Sequence, residues 1–140
     1  MHFNLGVGDK RVKRYINIQK QFIPKCMRMF MVEFYRQCTI STPVDTGRAR
    51  WGWNCSIGSP NLTVPAEGKY TLDASRANNT FTVSAVSGKD TLYVSNSVPY
   101  IGKLNDGYSR QAPARFVELS FDNSFQKLTL YIRVRGYAGD

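Results

Sequence analysis

The longest regular pattern in the chain is a run of apolar residues that recurs every three or four positions between Phe22 and Ile40. This spacing places them on one side of an α-helix of about 20 residues, roughly 30 Å long. Pro24 fits such a helix only in its first turn, which predicts a start near residues 21–23. The stripe is typical of core packing and not of a ligand groove, and it consists of Ile23, Cys26, Met27, Phe30, Met31, Phe34 and Cys38.

Helical and turn signals also flank this segment. A separate short basic helix is predicted from Lys10 to about Gln19, with Asp9 as its cap, so that residues 1–20 form a basic N-terminal arm. After the long helix, the Thr42-Pro43 pair ends the helical conformation. Residues 44–47 then predict a tight turn in which Gly47 adopts a left-handed conformation.

Residues 48–57 alternate between apolar and polar side chains, which predicts a β-strand. Trp51 and Trp53 fall on its apolar face, together with Ala49, Cys55 and Ile57. Tryptophan is enriched among interface anchors, so these rings are candidates for that role. Packing beneath the long helix is the favoured interpretation.

The middle of the chain alternates between loops and strands. Residues 58–79 are rich in Gly, Ser, Pro, Asn and Thr and predict a flexible insertion loop. Residues 80–86 predict a strand, with a short helix from Asp73 as the alternative. A turn at 87–90 leads into a strand at 91–96.

The last third of the chain favours helix. One or two helical turns are predicted at 100–104, stopped by Gly107. A final amphipathic segment begins near Val117, although residues 127–134 fit either a helix or a strand. Taken together, the patterns predict a single α+β domain over residues 1–140. A long amphipathic helix packs on a small antiparallel sheet, with a further C-terminal helix.

Charge is distributed unevenly along the chain. Lys and Arg number 19 against 10 Asp and Glu, and residues 1–50 hold ten of the basic and three of the acidic side chains. Such asymmetry is typical of proteins with a polyanionic neighbour, although a solvated helix face explains it as well. The candidates for contact with DNA or an acidic partner are Lys10, Arg11, Lys13 and Arg14.

The composition offers little for catalysis. The single histidine is His2, so a Ser-His or Cys-His pair has almost no material, and no nucleotide-binding loop is present. Three cysteines without metal-ligand spacing predict buried free thiols in a reducing compartment: Cys26, Cys38 and Cys55. We therefore expect no enzymatic activity, no cofactor and no metal.

No run of residues has the length and hydrophobicity of a membrane span, and the N-terminus lacks the layout of a signal peptide. The expectation is a soluble intracellular protein without a membrane partner.

Two segments resemble one known family. Residues 42–48, TPVDTGR, are followed by a tryptophan-bearing segment, and residues 92–100, LYVSNSVPY, lead into residues 104–114, LNDGYSRQAPA. Their order and spacing resemble the neck and tail-completion proteins of tailed bacteriophages, over residues from about 22 to 125. The basic arm through residue 20 and the segment after residue 127 have no counterpart in that pattern.

The resemblance implies a structural virion subunit and not an enzyme. Copies would close into a ring at the head–tail junction, for which we expect six copies, with twelve as the alternative. The partners would be the head-side connector and the tail-terminator or tail proteins, with non-specific DNA contact in the channel, and assembly would take place in the host cytoplasm.

Subunit and partner contacts are expected in the two motifs. For Asp45 an Asx turn is favoured over an ion pair, while the role of Arg48 stays open. The aromatic and proline residues of the second motif fit interface and fold support equally. The candidate contacts are Asp45, Arg48, Tyr100, Leu104, Tyr108, Arg110, Pro113 and Arg115. A basic nucleic-acid-binding module is the alternative function.

Overall fold

Two long helices and a two-stranded sheet form the framework of the protein in a computed structural model, which describes residues 10–71 and 86–135. This α+β arrangement, with a long helix, a small antiparallel sheet and a C-terminal helix, confirms the predicted fold class. In chain order the elements are α1 (Lys10–Ser41), α2 (Arg48–Trp51), β1 (Trp53–Ile57), β2 (Leu92–Asn96), α3 (Ile101–Asn105) and α4 (Phe116–Arg135).

Helix α1 is continuous, so the prediction of a short helix followed by a second one starting near residues 21–23 is wrong. Pro24 lies in its interior, where it lacks an N–H and its ring crowds the preceding turn. Packing against α4 continues on both sides of the proline. Phe22 stacks on Tyr131 with ring centroids 6.2 Å apart, and Phe30 meets Phe121 edge-on at 5.1 Å. These contacts offset the local cost and run the two helices antiparallel.

The sheet is a single antiparallel pair, with Trp53 opposite Asn96 and Ile57 opposite Leu92. The strand predicted over 48–57 is therefore correct only from residue 53. Before it, residues 48–51 form one helical turn, in which the Trp51 N–H donates to the Gly47 carbonyl. As a result the two tryptophans separate: Trp53 is buried, whereas Trp51 donates its Nε1–H to the Thr71 carbonyl.

The core lies between the C-terminal half of α1, the sheet and the start of α4. Cys38, Trp53 and Phe116 are its buried centre, and the partly buried hydrophobic residues around them are Phe34, Tyr35, Val94, Ile101, Leu104, Ala112 and Val117. All three cysteines are buried free thiols, as predicted. Burial raises the pKa of both Cys38 and Cys55 to about 12, so these thiols are protonated at neutral pH.

Several shorter predictions hold. The turn at 87–90 forms through an N–H···O bond from Asp90 to Ser87, α3 occupies the predicted helical turns, and α4 continues as helix through residues 127–134. Gly107 ends the α3 region with a φ of 94°. The strand predicted at 80–86 and its alternative, the helix from Asp73, lie outside the described residues apart from Val86.

Within residues 10–71 and 86–135, no helix has both the length and the hydrophobicity needed to span a membrane.

Candidate functional site

The two sequence motifs are joined by one side chain. The amide of Gln111 accepts a hydrogen bond from the Val44 N–H at 2.8 Å and donates one to the Val44 carbonyl at 2.9 Å. These residues are 67 positions apart in the chain. The paired bonds imitate the exchange between neighbouring strands, and they hold the turn after α1 against the loop after α3.

Between the joined segments lies a groove of about 580 Å³, which we call the motif groove. One side is built by the turn after α1 and by α2, another by the loop after β1, and the third by α3 and the residues that follow it. Its lining residues are Pro43, Val44, Asp45, Thr46, Gly47, Arg48, Ala49, Glu67, Gly68, Tyr100, Leu104, Tyr108, Ser109 and Gln111.

Gly47 fixes the base of the groove. Its φ of 83° is in the left-handed region, as the sequence predicted, and a Cβ there would lie 2.5 Å from the Tyr70 carbonyl oxygen. The chain can approach this closely because the side chain is absent. The Tyr70 N–H donates to the Thr46 carbonyl at 2.7 Å, which brings the loop after β1 against the turn.

Arg48 holds the same loop from the other direction. Its Nε–H donates to the Pro65 carbonyl at 2.9 Å, which ties the guanidinium to the loop. The contact leaves Glu67 and Gly68, which follow Pro65 in the chain, on the wall of the groove. Thus Glu67 and Gly68 of the predicted insertion loop form one side of the site, and residues 72–79 of that prediction lie outside the described residues.

Asn96 positions the opposite wall. Its amide donates to the Ala49 carbonyl at 2.7 Å and accepts from the Val98 N–H at 3.0 Å. Val98 is buried, and its carbonyl accepts the first bond of α3 from Ile101. The end of β2 is thereby locked to α2, and the start of α3 places Tyr100 and Leu104 on the groove.

Five of the eight predicted contact residues line the motif groove: Asp45, Arg48, Tyr100, Leu104 and Tyr108. The Asx turn expected at Asp45 is not formed, since its carboxylate accepts no backbone N–H in the described structure; the Arg48 N–H donates instead to Thr46 Oγ1. Among the described residues Asp45 is exposed and has no hydrogen bond or ion pair, so the alternative pairing with Arg48 is absent too.

The other three predicted contacts lie outside the groove. Arg110 and Pro113 are exposed on the loop that follows α3. Arg115 has a φ of 61°, its N–H donates to the Asn105 carbonyl, and its side chain forms a 3.8 Å ion pair with Glu118. These interactions assign Arg115 to the start of α4.

The four predicted basic contacts lie at the far end of the molecule. Lys10, Arg11, Lys13 and Arg14 occupy the first turns of α1 and are exposed. The motif groove follows the opposite end of that helix, so the structure does not bring the two predicted contact sets together.

The motif groove combines charged, aromatic and apolar side chains. It holds two carboxylates, a guanidinium and two phenols, without a histidine or cysteine. In the part of the chain that the structure describes, no group of three or more His, Cys, Asp and Glu side chains could hold a metal ion. Tyr108 is 79% exposed, so its ring is available to a partner.

Gln111, Thr46 and Asn96 were missed as site residues by the sequence reasoning. All three lie inside the motifs, Thr46 and Gln111 in turns and Asn96 at the end of β2, and their polar side chains are the available signal. Comparisons with protein-family models, with curated proteins and with solved structures find no match for this chain.

Proposed function

We propose that this protein is a non-enzymatic structural subunit of a tailed-phage virion that assembles into a ring at the head–tail junction. One observation carries the proposal: the two segments that resemble neck and tail-completion proteins, although distant in sequence, build one groove and are joined by the Gln111–Val44 bonds. A shared surface is a reason for both motifs to occur in one chain.

In this proposal a segment of the neighbouring subunit occupies the motif groove. The groove and the segment that fills it are different surfaces, so the contact is heterologous, and repeating it by rotation closes a ring. The groove offers the inserted segment both apolar and hydrogen-bonding partners, from Leu104 to Arg48 and the two tyrosines. An obligate ring contact buries on the order of 2,000 Å², so the groove would be the centre of a wider interface.

Tyr108 is the expected anchor of that interface. Tyrosine is enriched among the residues whose truncation weakens protein interfaces most, typically by about 2 kcal/mol or more. A largely exposed ring at the rim of a groove gains contact area only when a partner covers it. Because Tyr108 makes no side-chain hydrogen bond within the described residues, its removal should leave the fold of the isolated subunit intact.

The test compares Tyr108→Ala with Tyr15→Ala. The second variant removes an exposed tyrosine near the amino end of α1, far from the motif groove. Native mass spectrometry would measure ring formation, and complementation of a phage lacking this gene would measure joined heads and tails. We expect Tyr108→Ala alone to reduce both. Undiminished ring formation and head–tail joining by Tyr108→Ala would refute the proposal, as would normal particles in the absence of this protein.

A further inference from the structure

One face of α1 presents a row of hydrogen-bond donors that is interrupted at Pro24. Lys10, Lys13, Arg14, Asn17, Lys20, Gln21, Lys25 and Arg28 all fall within an arc of about 140° at 100° per residue. All but Arg28, which is half-buried, are exposed. We call this row the donor ridge. From Lys10 to Arg28 it extends about 27 Å along the helix.

The donor ridge carries no compensating negative charge. Residues 10–32 contain no Asp or Glu, and neither do residues 123–135 of α4, which pack beside them. The carboxylate that follows on α1 is Glu33, and it is already bonded to Arg36, Gln37 and Lys127. The positive charge of the ridge is therefore not neutralised by the described part of the fold.

Helix α4 adds further basic groups at the same end. Its antiparallel packing places Tyr131 beside Phe22, and Lys25 Nζ lies 5.8 Å from the Tyr131 ring centre. Arg133 and Arg135 occupy the last turn of α4, which continues past Tyr131 toward the amino-terminal half of α1.

The position of the basic residues within α1 also points to an external anion. The amino end of a helix carries a partial positive charge, so cations in the first turns are unfavourable by about 0.3–1 kcal/mol each near the end. The first turn of α1 has no acidic residue, and Lys10, Lys13 and Arg14 lie in its first two turns. An anionic partner bound there would be attracted both by these basic side chains and by the amino end of the helix.

We propose that the donor ridge binds the phosphate backbone of duplex nucleic acid. Every ridge side chain has N–H donors of the kind that contact phosphate oxygens, including the uncharged Asn17 and Gln21. The ridge length matches about eight base pairs, which present a charge every 1.7 Å or so. The proposal does not depend on ring assembly.

A lipid surface fits the ridge less well. Membrane-bound helices insert apolar side chains between the headgroups. The strongly exposed apolar residues alongside the ridge on α1, Tyr15, Ile16 and Ile23, all lie outside its arc. Contact through the ridge alone engages phosphates without inserting an apolar group.

The test uses two triple variants with the same change in net charge. Lys13→Gln/Arg14→Gln/Lys20→Gln removes ridge charges, whereas Lys69→Gln/Lys89→Gln/Arg110→Gln removes exposed charges elsewhere. Fluorescence anisotropy would measure binding to a mixed-sequence 30-base-pair DNA duplex between 50 and 200 mM NaCl, with circular dichroism to verify folding.

If each ridge cation contacts a phosphate, the ridge variant should lose about 2.7 from the slope of log K against log salt concentration. Its affinity at 0.1 M salt should fall on the order of 100-fold, while the control variant stays within a few-fold of the wild type. Equal losses in both variants would overturn the proposal, as would no duplex binding at 50 mM salt. Ridge-dependent binding to phosphatidylserine vesicles without binding to DNA would also overturn it.

Discussion

The hydroxyl of Thr42 connects the end of α1 to the first strand, and its removal gives a sharp test of the packing at this junction. Thr42 is fully buried. Its Oγ1 accepts a hydrogen bond from Trp53 Nε1 at 2.7 Å and donates one to the Cys38 carbonyl at 2.6 Å. Arg50 also donates to the Thr42 carbonyl, at 2.9 Å.

Thr42→Val keeps the volume of the side chain and removes only the hydroxyl. The buried Trp53 N–H then has no partner, which costs about 1–3 kcal/mol because its desolvation is no longer compensated. For a chain of this length, a loss of about 2 kcal/mol corresponds to a melting temperature lower by roughly 7 °C. Circular dichroism at 222 nm would measure it without depending on tryptophan fluorescence.

Thr42→Ser is the matched control, since it keeps the hydroxyl and loses one methyl group. Burial of a methyl group is worth about 0.8 kcal/mol, so this variant should be less destabilised than Thr42→Val. The opposite order would show that volume and not hydrogen bonding holds the junction, and it would refute the reasoning.

A double-mutant cycle isolates the bond between the two side chains. In Trp53→Phe the indole donor is absent, so adding Thr42→Val should cost less than about 0.5 kcal/mol beyond the single change. An undiminished cost in that background would mean that Thr42 acts through some contact other than Trp53.

Three further predictions concern α1 and the base of the motif groove. Gly47→Ala should destabilise by at least 1 kcal/mol more than Gly58→Ala in urea unfolding, because both have φ above 80° but only Gly47 would place a Cβ 2.5 Å from the Tyr70 carbonyl; equal losses would contradict the clash. Pro24→Ala should raise stability by about 1–3 kcal/mol, since it restores an N–H inside α1, and a loss in thermal unfolding would contradict this. Hydrogen bonds led by that from Arg36 lower the pKa of Glu33 to about 2, so its contribution is present above the unfolded value near 4.5 and is lost as pH falls toward 2. Glu33→Gln should therefore show a weaker fall in melting temperature over that range, and parallel pH profiles would contradict the assignment.

Local periodicity predicted the two long helices because their apolar residues recur at helical spacing. The stripe from Ile23 to Cys38 and the spacing of Val117, Phe121 and Phe125 both lie on the helices of the structure. Pro24 led to a wrong prediction of where α1 begins. A proline inside a helix costs about 3 kcal/mol, which is visible in the local sequence. The packing of α1 on α4, which offsets that cost, is not visible there.

The alternation over residues 48–57 misled for a different reason. Four residues are too few for an alternating pattern to be distinguished from a single helical turn. Here the left-handed Gly47 precedes the four residues, and they form such a turn. The turn is then fixed from outside the segment: Asn96 bonds to the Ala49 carbonyl, and Arg50 reaches back to Ile40 and Thr42. None of these partners is visible in the local pattern.

The motif groove could be predicted only in part. Most of its residues lie in the two motifs, but their convergence depends on Gln111 and Val44 meeting across the fold, which no spacing rule gives. The exclusion of Arg110, Pro113 and Arg115 has the same origin. The side chains of consecutive turn residues point in different directions. Only the packing of α3 and α4 decides which of these side chains line the groove.

The two proposed surfaces lie far enough apart on α1 to be tested independently. The motif groove begins at Pro43, just beyond the carboxyl end of the helix, whereas the donor ridge ends at Arg28. The thirteen residues of helical rise from Arg28 to the end of α1 at Ser41 separate them by about 20 Å, more than two Debye lengths at physiological salt. Charge changes on the ridge should therefore leave subunit contacts in the groove unaffected, and Tyr108→Ala should leave duplex binding by the single subunit unaffected. Loss of both properties in either variant would mean that one surface depends on the other, for instance because only the assembled ring gathers enough ridges to bind.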